Sequence, residues 1–165
     1  CIARALAVDP RVVVCDEAVA SLDVSIQAQI INLFLDLKQE LNLSYLFISH
    51  DISVIQHVAD RVAVMYLGQI VEIGTTKELI EKPQHPYTKA LLAEVPTLDK
   101  TLSEEHALKG ELPSPLNPPS GCRFHTRCPV ATSTCRSERP ALEHWKVDHQ
   151  VRCPIVTSGK QSFGR

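Results

Sequence analysis

Two adjacent carboxylates close a short apolar run near the beginning of the sequence. Residues 12–14 are valines, Cys15 follows them, and Asp16 and Glu17 come next. An apolar run of this length predicts a buried β-strand. At the tip of such a strand, one carboxylate can hold Mg²⁺ while its neighbour acts on a water that attacks a phosphate. The pair therefore predicts the chemistry of nucleotide hydrolysis.

A histidine closes a second apolar run, 33 residues after Glu17. Residues 45–48 read Tyr-Leu-Phe-Ile, and Ser49 and His50 follow. In an open α/β sheet, ligands bind at the edge where the carboxyl ends of the strands meet. We therefore expect His50 to lie beside the carboxylates. A lone Asp-Glu pair or a lone histidine after a strand carries little weight, but the combination favours a functional site.

The order of the motifs resembles the Walker B, D-loop and H-loop elements of the ATP-binding cassette (ABC) ATPases. The D-loop motif, Ser21-Leu22-Asp23, lies between the two apolar runs. The resemblance implies that ATP and Mg²⁺ are the cofactors. It also implies that Asp16 holds Mg²⁺, Glu17 polarises the attacking water and His50 contacts the γ-phosphate. The loop with Ser21 and Asp23 would cross the interface between two ATPase subunits.

One nucleotide-binding element is missing from the sequence. No Gly-x-x-x-x-Gly-Lys-Ser/Thr motif (Walker A) occurs, and the Gly159-Lys160 pair is followed by Gln161. Residues 2–7 resemble the inside of the helix that follows the ABC signature motif. We therefore expect the chain to be the C-terminal part of a longer protein, cut just after that motif. Ala18 departs from the family, which often has proline after the catalytic glutamate.

Three further segments resemble the C-terminal extension of the di- and oligopeptide importer ATPases. They span residues 85–92, 110–122 and 124–129, and residues 23–29 fit the same subfamily. The resemblance implies a peripheral subunit on the cytoplasmic face of the bacterial inner membrane that couples ATP hydrolysis to import of di- or oligopeptides. Its partners would be two membrane permease subunits, a homologous or identical second ATPase subunit and, through the permeases, an extracytoplasmic peptide-binding protein.

Two alternatives stay open at the level of sequence. Some members of the subfamily carry nickel complexes or glutathione, and the sequence does not separate these cargoes from peptides. From a different class, the chain could be a non-catalytic metal-binding interaction module.

The net charge of −2 gives no indication of a nucleic-acid partner. No apolar run reaches the length of about 18 residues that predicts a membrane span.

Alternating helices and strands predict an α/β fold. We expect residues 1–82 to be the C-terminal part of a P-loop NTPase (ABC ATPase) lobe. Residues 83–165 should form a small Cys- and Pro-rich irregular extension, because four prolines at 113–119 favour extended backbone. Gly74 should end a β-hairpin, and Thr76 should cap the helix after it. The predicted strands are 11–15, 44–48, 61–66 and 69–72, and the predicted helices are 23–41, 51–58, 77–81 and 86–93.

Four cysteines in the last third of the sequence are candidate metal ligands. They have five, six and seventeen residues between successive members, and they are Cys122, Cys128, Cys135 and Cys153. Two disulfides fit poorly with the reducing cytosol, and zinc sites usually contain cysteines only about two to four residues apart. Members of the resembled subfamily hold a [4Fe-4S] cluster on four such cysteines. That cluster is therefore favoured over Zn²⁺, and unliganded thiols stay an alternative.

The other cysteines and the nearby histidines have packing roles in our interpretation. Cys15, inside an apolar run, is predicted to be a small buried hydrophobe, and Cys1 is expected to have no function. We expect surface or packing roles, not ligation, for His125, His144 and His149.

Overall fold

The computed structural model describes residues 2–94 and 110–159 of the chain. Cys1, Lys160 and Gln161, all named above, lie outside this part. The chain divides into two compact units, Cys1–Ala59 and Asp60–Arg165. Each unit combines helices with strands, and among the described residues the parallel strands of the predicted α/β class occur only in the first unit. Among the described residues, no helix is both long and apolar enough to cross a membrane.

The first unit is a parallel β-α-β arrangement. Its elements are α1 (Ile2–Leu6), β1 (Val12–Asp16), α2 (Val24–Glu40), β2 (Ser44–Ile48) and α3 (Ile52–Val58). β1 and β2 pair in parallel, from Val12 opposite Ser44 to Asp16 opposite Ile48. α2 is the crossover helix that neighbouring parallel strands need. The predicted bounds of these strands and helices agree with the structure to within about a residue.

The core of the first unit lies on one face of the two strands. Its buried members are Cys15, Val19, Phe34, Val54 and Val58. The other face is open, because Val12 and Val14 are 60% and 61% exposed. Side chains alternate between the faces of a strand. Within this chain, the predicted burial of β1 is seen on the face that carries Cys15.

The second unit is built on an antiparallel sheet. The sheet has the order β3-β4-β6-β5. β3 and β4 join at Leu67 and Gly68, whose φ angles of 45° and 72° suit the two-residue hairpin turn predicted there. The elements of this unit are β3 (Arg61–Tyr66), β4 (Gln69–Thr75), α4 (Thr76–Glu81), α5 (Pro86–Ala93), α6 (Ser133–Ser137), β5 (Glu143–Lys146), β6 (His149–Val151) and α7 (Pro154–Ser158).

Two predicted details of this unit are wrong. β4 continues to Thr75, and Gly74 pairs with Val62 instead of ending the hairpin. A Cβ at Gly74 would lie 3.2 Å from Leu79 Cδ1 and 3.5 Å from the His149 ring, so the glycine serves close packing. The cap of α4 is Thr75 and not Thr76, because Thr75 Oγ1 accepts a hydrogen bond from the Glu78 N–H at 3.3 Å.

The boundary between the compact units differs from the predicted boundary between residues 82 and 83. β6 pairs with β4, where Glu72 lies opposite Val151, so strands from both predicted regions share one sheet. The predicted extension is also not irregular throughout. Residues 110–132 contain no helix or strand, but four short elements follow them. The assignment of residues 1–82 to an ATPase lobe and 83–165 to an extension stays a prediction.

Candidate functional site

Glu17 and His50 meet at the carboxyl ends of β1 and β2. His50 Nδ1 lies 3.1 Å from Glu17 Oε1. The strand pairing continues one step past β1, because the Glu17 N–H donates to the Ile48 carbonyl oxygen at 2.9 Å. That bond holds Glu17 beside Ile48, which ends β2 and precedes His50 by two residues. The structure thus brings together the carboxylate and the histidine expected at this edge, and their chemical roles stay predictions.

The side chains at this edge are open to solvent. Glu17 and His50 are 57% and 76% exposed, and Asp16 is exposed at the end of β1. Glu17 has a φ of 46°, in the left-handed region that non-glycine residues seldom occupy. Strain of this kind persists where the surrounding structure imposes it, and the Glu17 N–H is held by its bond to the Ile48 carbonyl oxygen. The left-handed residue starts the turn that leads to α2.

Ser21 and Asp23, the two predicted D-loop residues, lie exposed in the segment between β1 and α2. Asp23 caps α2, because its Oδ1 accepts hydrogen bonds from the N–H groups of Ser25 at 3.1 Å and Ile26 at 3.0 Å. This cap satisfies helix N–H groups that would otherwise lack a partner. Asp23 thereby determines where α2 begins. Contact with a second subunit through this segment stays a prediction.

Gln27 is a residue at this site that the sequence analysis missed. Its side-chain Nε2 donates to Asp51 Oδ2 at 3.4 Å, and Asp51 directly follows His50. Gln27 is half-buried on a helix where Ser25 and Gln29 are exposed. Helical periodicity could have found it, because Gln27 precedes Phe34 by two turns and so shares the face that packs into the core.

The four predicted metal ligands lie in the second unit. Cys135 and Cys153 are buried, and Cys122 and Cys128 pack against the cluster that contains Phe124. Burial raises the pKa of the Cys122, Cys128 and Cys153 thiols, that of Cys128 to about 11. The negative charges of the other three thiolates raise the pKa of Cys128 further. The four sulfurs therefore share one neighbourhood.

Main-chain N–H groups face three of these sulfurs. Hydrogen bonds from these N–H groups lower the pKa of the three thiols, against the effect of burial. The groups belong to Phe124 and His125 at Cys122, to Val130 at Cys128, and to Ile155 and Val156 at Cys153. The Cys122 N–H also donates to the Cys135 carbonyl oxygen at 2.8 Å. Within residues 2–94 and 110–159, no group of three or more His, Cys, Asp or Glu side chains is arranged to hold a metal ion. The cysteines are close, but they do not form a ligand set in this structure.

A buried carboxylate in the second unit was also missed from sequence. Glu72 is 0% exposed, and its Oε1 lies 2.7 Å from His149 Nε2. Glu72 Oε1 also accepts from the Gln84 N–H at 2.7 Å, and Oε2 accepts from the His85 N–H at 3.0 Å. His149 therefore has the packing role expected for it. The one available signal was an acidic residue in the middle of an apolar strand.

Cys15, His125 and His144 are the other residues for which packing or surface roles were predicted. Cys15 is buried in the core of the first unit, as predicted, and burial raises the pKa of its thiol. His125 Nδ1 lies 2.9 Å from the Cys122 carbonyl oxygen, and the exposed His144 lies beside Gln150.

Comparison with known protein families finds a match within the second unit. Residues 71–135 match the family model for the oligopeptide/dipeptide transporter C-terminal region. This segment runs from β4 through α6 and contains Glu72 and three of the four cysteines.

Several curated proteins are similar to nearly the whole chain. The dipeptide transport ATP-binding protein DppF of Haemophilus influenzae is 55% identical over 153 residues, which cover 92% of this chain and 47% of that protein. The oligopeptide transport ATP-binding protein AppF of Bacillus subtilis is 54% identical over 159 residues, 94% of this chain and 48% of that protein. The oligopeptide transport ATP-binding protein OppF of Escherichia coli is 52% identical over 155 residues, which cover 92% of this chain and 46% of that protein. The chain spans about half the length of the curated relatives that it matches.

Proposed function

We propose that this chain belongs to the family of di- and oligopeptide ABC transporter ATP-binding proteins and is part of a subunit that hydrolyses ATP to drive peptide import. The observation that carries the proposal is the 3.1 Å contact between Glu17 and His50 at the ends of two parallel strands. Ligands bind at this edge of open α/β sheets. The names of the relatives support ATP binding and transport of dipeptides and oligopeptides.

Each side chain at this edge has a separate task in the proposed reaction. Glu17 accepts the proton of the water that attacks the γ-phosphate, for which its exposed carboxylate is suited. With both ring nitrogens protonated, His50 would donate Nδ1–H to Glu17 and Nε2–H to the γ-phosphate. Asp16, exposed at the end of β1, would hold Mg²⁺. When bound, Mg²⁺ neutralises charge on the phosphate oxygens.

The test uses the full-length protein assembled with its permeases. Glu17→Gln should keep ATP affinity while hydrolysis falls by about 100-fold or more, because an amide cannot act as the base. His50→Ala should also lower hydrolysis. Asp36→Asn is the matched control, since Asp36 is another exposed carboxylate of the first unit. Near-normal steady-state hydrolysis by Glu17→Gln would remove Glu17 from the proposed role.

We propose that the assembled subunit lies on the cytoplasmic face of the bacterial inner membrane. Its proposed partners are two permease subunits, a second ATPase subunit and, through the permeases, an extracytoplasmic peptide-binding protein. A non-catalytic module is not favoured, because the relatives are named as transport ATP-binding proteins. ATP-dependent uptake into vesicles, with a dipeptide, an oligopeptide, a nickel complex and glutathione offered separately, tests the cargo. Uptake of nickel or glutathione without peptide would contradict the proposed cargo.

For the second unit we propose that Cys122, Cys128, Cys135 and Cys153 hold a [4Fe-4S] cluster. Four thiolates in one neighbourhood suit such a cluster, and main-chain N–H groups at the sulfurs are a feature that stabilises thiolate ligands. The thiols with raised pKa values must lose their protons on binding. The side chains must also rearrange, since they do not form a ligand set as they stand. A bound cluster would cross-link three segments of this unit.

Anaerobic purification of the full-length protein tests this proposal. It should give brown protein with iron and acid-labile sulfide in near-equal amounts. Cys135→Ser should lower both, whereas Cys15→Ser, in the first unit, should leave them unchanged. Colourless protein with stoichiometric zinc would contradict the iron assignment and would indicate that the same four residues hold Zn²⁺. A metal-free protein whose stability survives loss of all four cysteines would overturn both metals.

A further inference from the structure

The hydrogen bond between Gln27 and Asp51 connects the two segments that carry Asp23 and His50. Gln27 lies in the first turn of α2, where its main-chain N–H donates to the Asp23 carbonyl oxygen at 2.8 Å. Its side chain donates to Asp51 at 3.4 Å. Gln27 and Asp51 are half-buried, whereas Asp23 and His50 are exposed. The connection therefore lies beneath the exposed residues of the site.

Asp51 holds the main chain on both sides of His50. Its Oδ1 accepts from the Ser53 N–H at 2.8 Å and the Val54 N–H at 3.4 Å, which caps α3. Its own N–H donates to Ser49 Oγ at 3.0 Å. Burial raises the pKa of Asp51, but the bonds from Val54, Ser53 and Gln27 outweigh burial and lower it. Asp51 is thus a carboxylate at neutral pH and can only accept hydrogen bonds.

We propose that Gln27 and Asp51 are positioning residues that hold His50 within reach of Glu17 and couple it to the loop that contains Asp23. The inference rests on the proposed function of Glu17 and His50. His50 is three-quarters exposed, so its orientation depends on the main chain of residues 49–51. A displacement of about 1 Å in a reacting group can cost up to about 100-fold in rate. The pair therefore acts on turnover without touching substrate.

An exchange of donor and acceptor tests the pair in the full-length protein with its permeases. Gln27→Glu places two carboxylates together, and we expect kcat to fall about fivefold to tenfold with the KM for ATP unchanged, as expected for loss of one hydrogen bond. Gln27→Glu combined with Asp51→Asn restores a donor opposite a carboxylate and keeps a side chain that can cap α3. The double variant should return to within about twofold of the unaltered kcat.

Two further variants keep the test decisive. Gln29→Glu adds the same charge at an exposed position of the same helix and should leave kcat unchanged. Gln27→Ala removes the donor without adding a charge and should lower kcat about threefold. A normal kcat in both Gln27 variants, or a double variant no better than Gln27→Glu, would overturn the inference. So would a lower melting temperature with unchanged kcat, which indicates a structural role only.

The proposed function is checked separately in the same assay. If the unaltered protein hydrolyses ATP and Glu17→Gln does not, the proposed function stands and the Gln27 and Asp51 variants test the positioning pair alone. If Glu17→Gln hydrolyses ATP normally, the proposed function fails first, whatever the Gln27 variants show.

Discussion

Glu17 and His85 show how a single side chain depends on its surroundings. Glu17 is exposed at the end of a strand, has a left-handed conformation, and donates its main-chain N–H to Ile48. His85 is 1% exposed, and its Nδ1 accepts from the Tyr87 N–H at 3.1 Å. Burial lowers the pKa of His85 to about 4, against the opposing effect of a main-chain bond to Arg152. The folded protein therefore keeps this imidazole neutral.

The pKa of His85 predicts a loss of stability in acid. The group ordinarily titrates at 6.5, so between pH 6.5 and about 4 the unfolded chain binds a proton that the folded chain does not. Its contribution to the free energy of unfolding is complete above pH 6.5 and is lost as the pH falls towards 4. The loss amounts to about 3 kcal/mol. Urea unfolding at pH 7, 5.5 and 4.5, followed through the single tryptophan, Trp145, measures it.

His85→Asn separates this effect from other titrations. Asparagine can still cap α5 but does not titrate, so its unfolding free energy should fall less between pH 7 and 4.5. His144→Asn, at an exposed position of β5, should retain the pH dependence of the unaltered protein. Equal pH dependence in His85→Asn and the unaltered protein would contradict the assignment.

At the scale of elements, the predicted helices and strands agree with the structure where the signals are local. The predicted helices begin at Asp23 and Asp51, and in the structure these two residues cap α2 and α3. The errors at Gly74 and Thr76 arise because Gly74 was interpreted as the end of the β-hairpin. Its position is instead set by packing against Leu79 and the His149 ring. Those contacts are not visible in the local sequence.

Glu72 joins three elements of the second unit. It lies on β4, bonds His149 on β6, and accepts from the two residues that precede α5. We expect Glu72→Gln to lower the free energy of unfolding by about 2–4 kcal/mol, because an amide turns one buried acceptor into a donor that faces donors. Glu143→Gln, at an exposed position of β5, should change it by less than about 0.5 kcal/mol. Equal unfolding midpoints for the two variants would show that Glu72 has no such role.

At the scale of the whole molecule, the two units differ in construction. The first has parallel strands with a connecting helix, and it carries Asp16, Glu17 and His50. The second has an antiparallel sheet completed by strands from the last quarter of the chain, and it carries the four cysteines. The proposed ATPase chemistry and the proposed metal site therefore belong to different units. We expect Cys135→Ser to change metal content more than ATP hydrolysis, and Glu17→Gln to do the reverse.

The sequence by itself determined the local features of this protein. The carboxylates at the end of β1, the starts of α2 and α3 at Asp23 and Asp51 and the period of α2 depend on residues a few positions apart. The motifs carried the resemblance to the peptide-importer ATPases. The motif order also predicted that His50 lies beside the carboxylates, whereas only the tertiary structure decided which atoms of Glu17 and His50 meet, and it alone showed the contact of Glu72 with His149 across 77 residues. The tertiary structure also decided the division at Ala59. Periodicity and capping act over one or two helical turns, whereas such pairs form only after distant segments pack together.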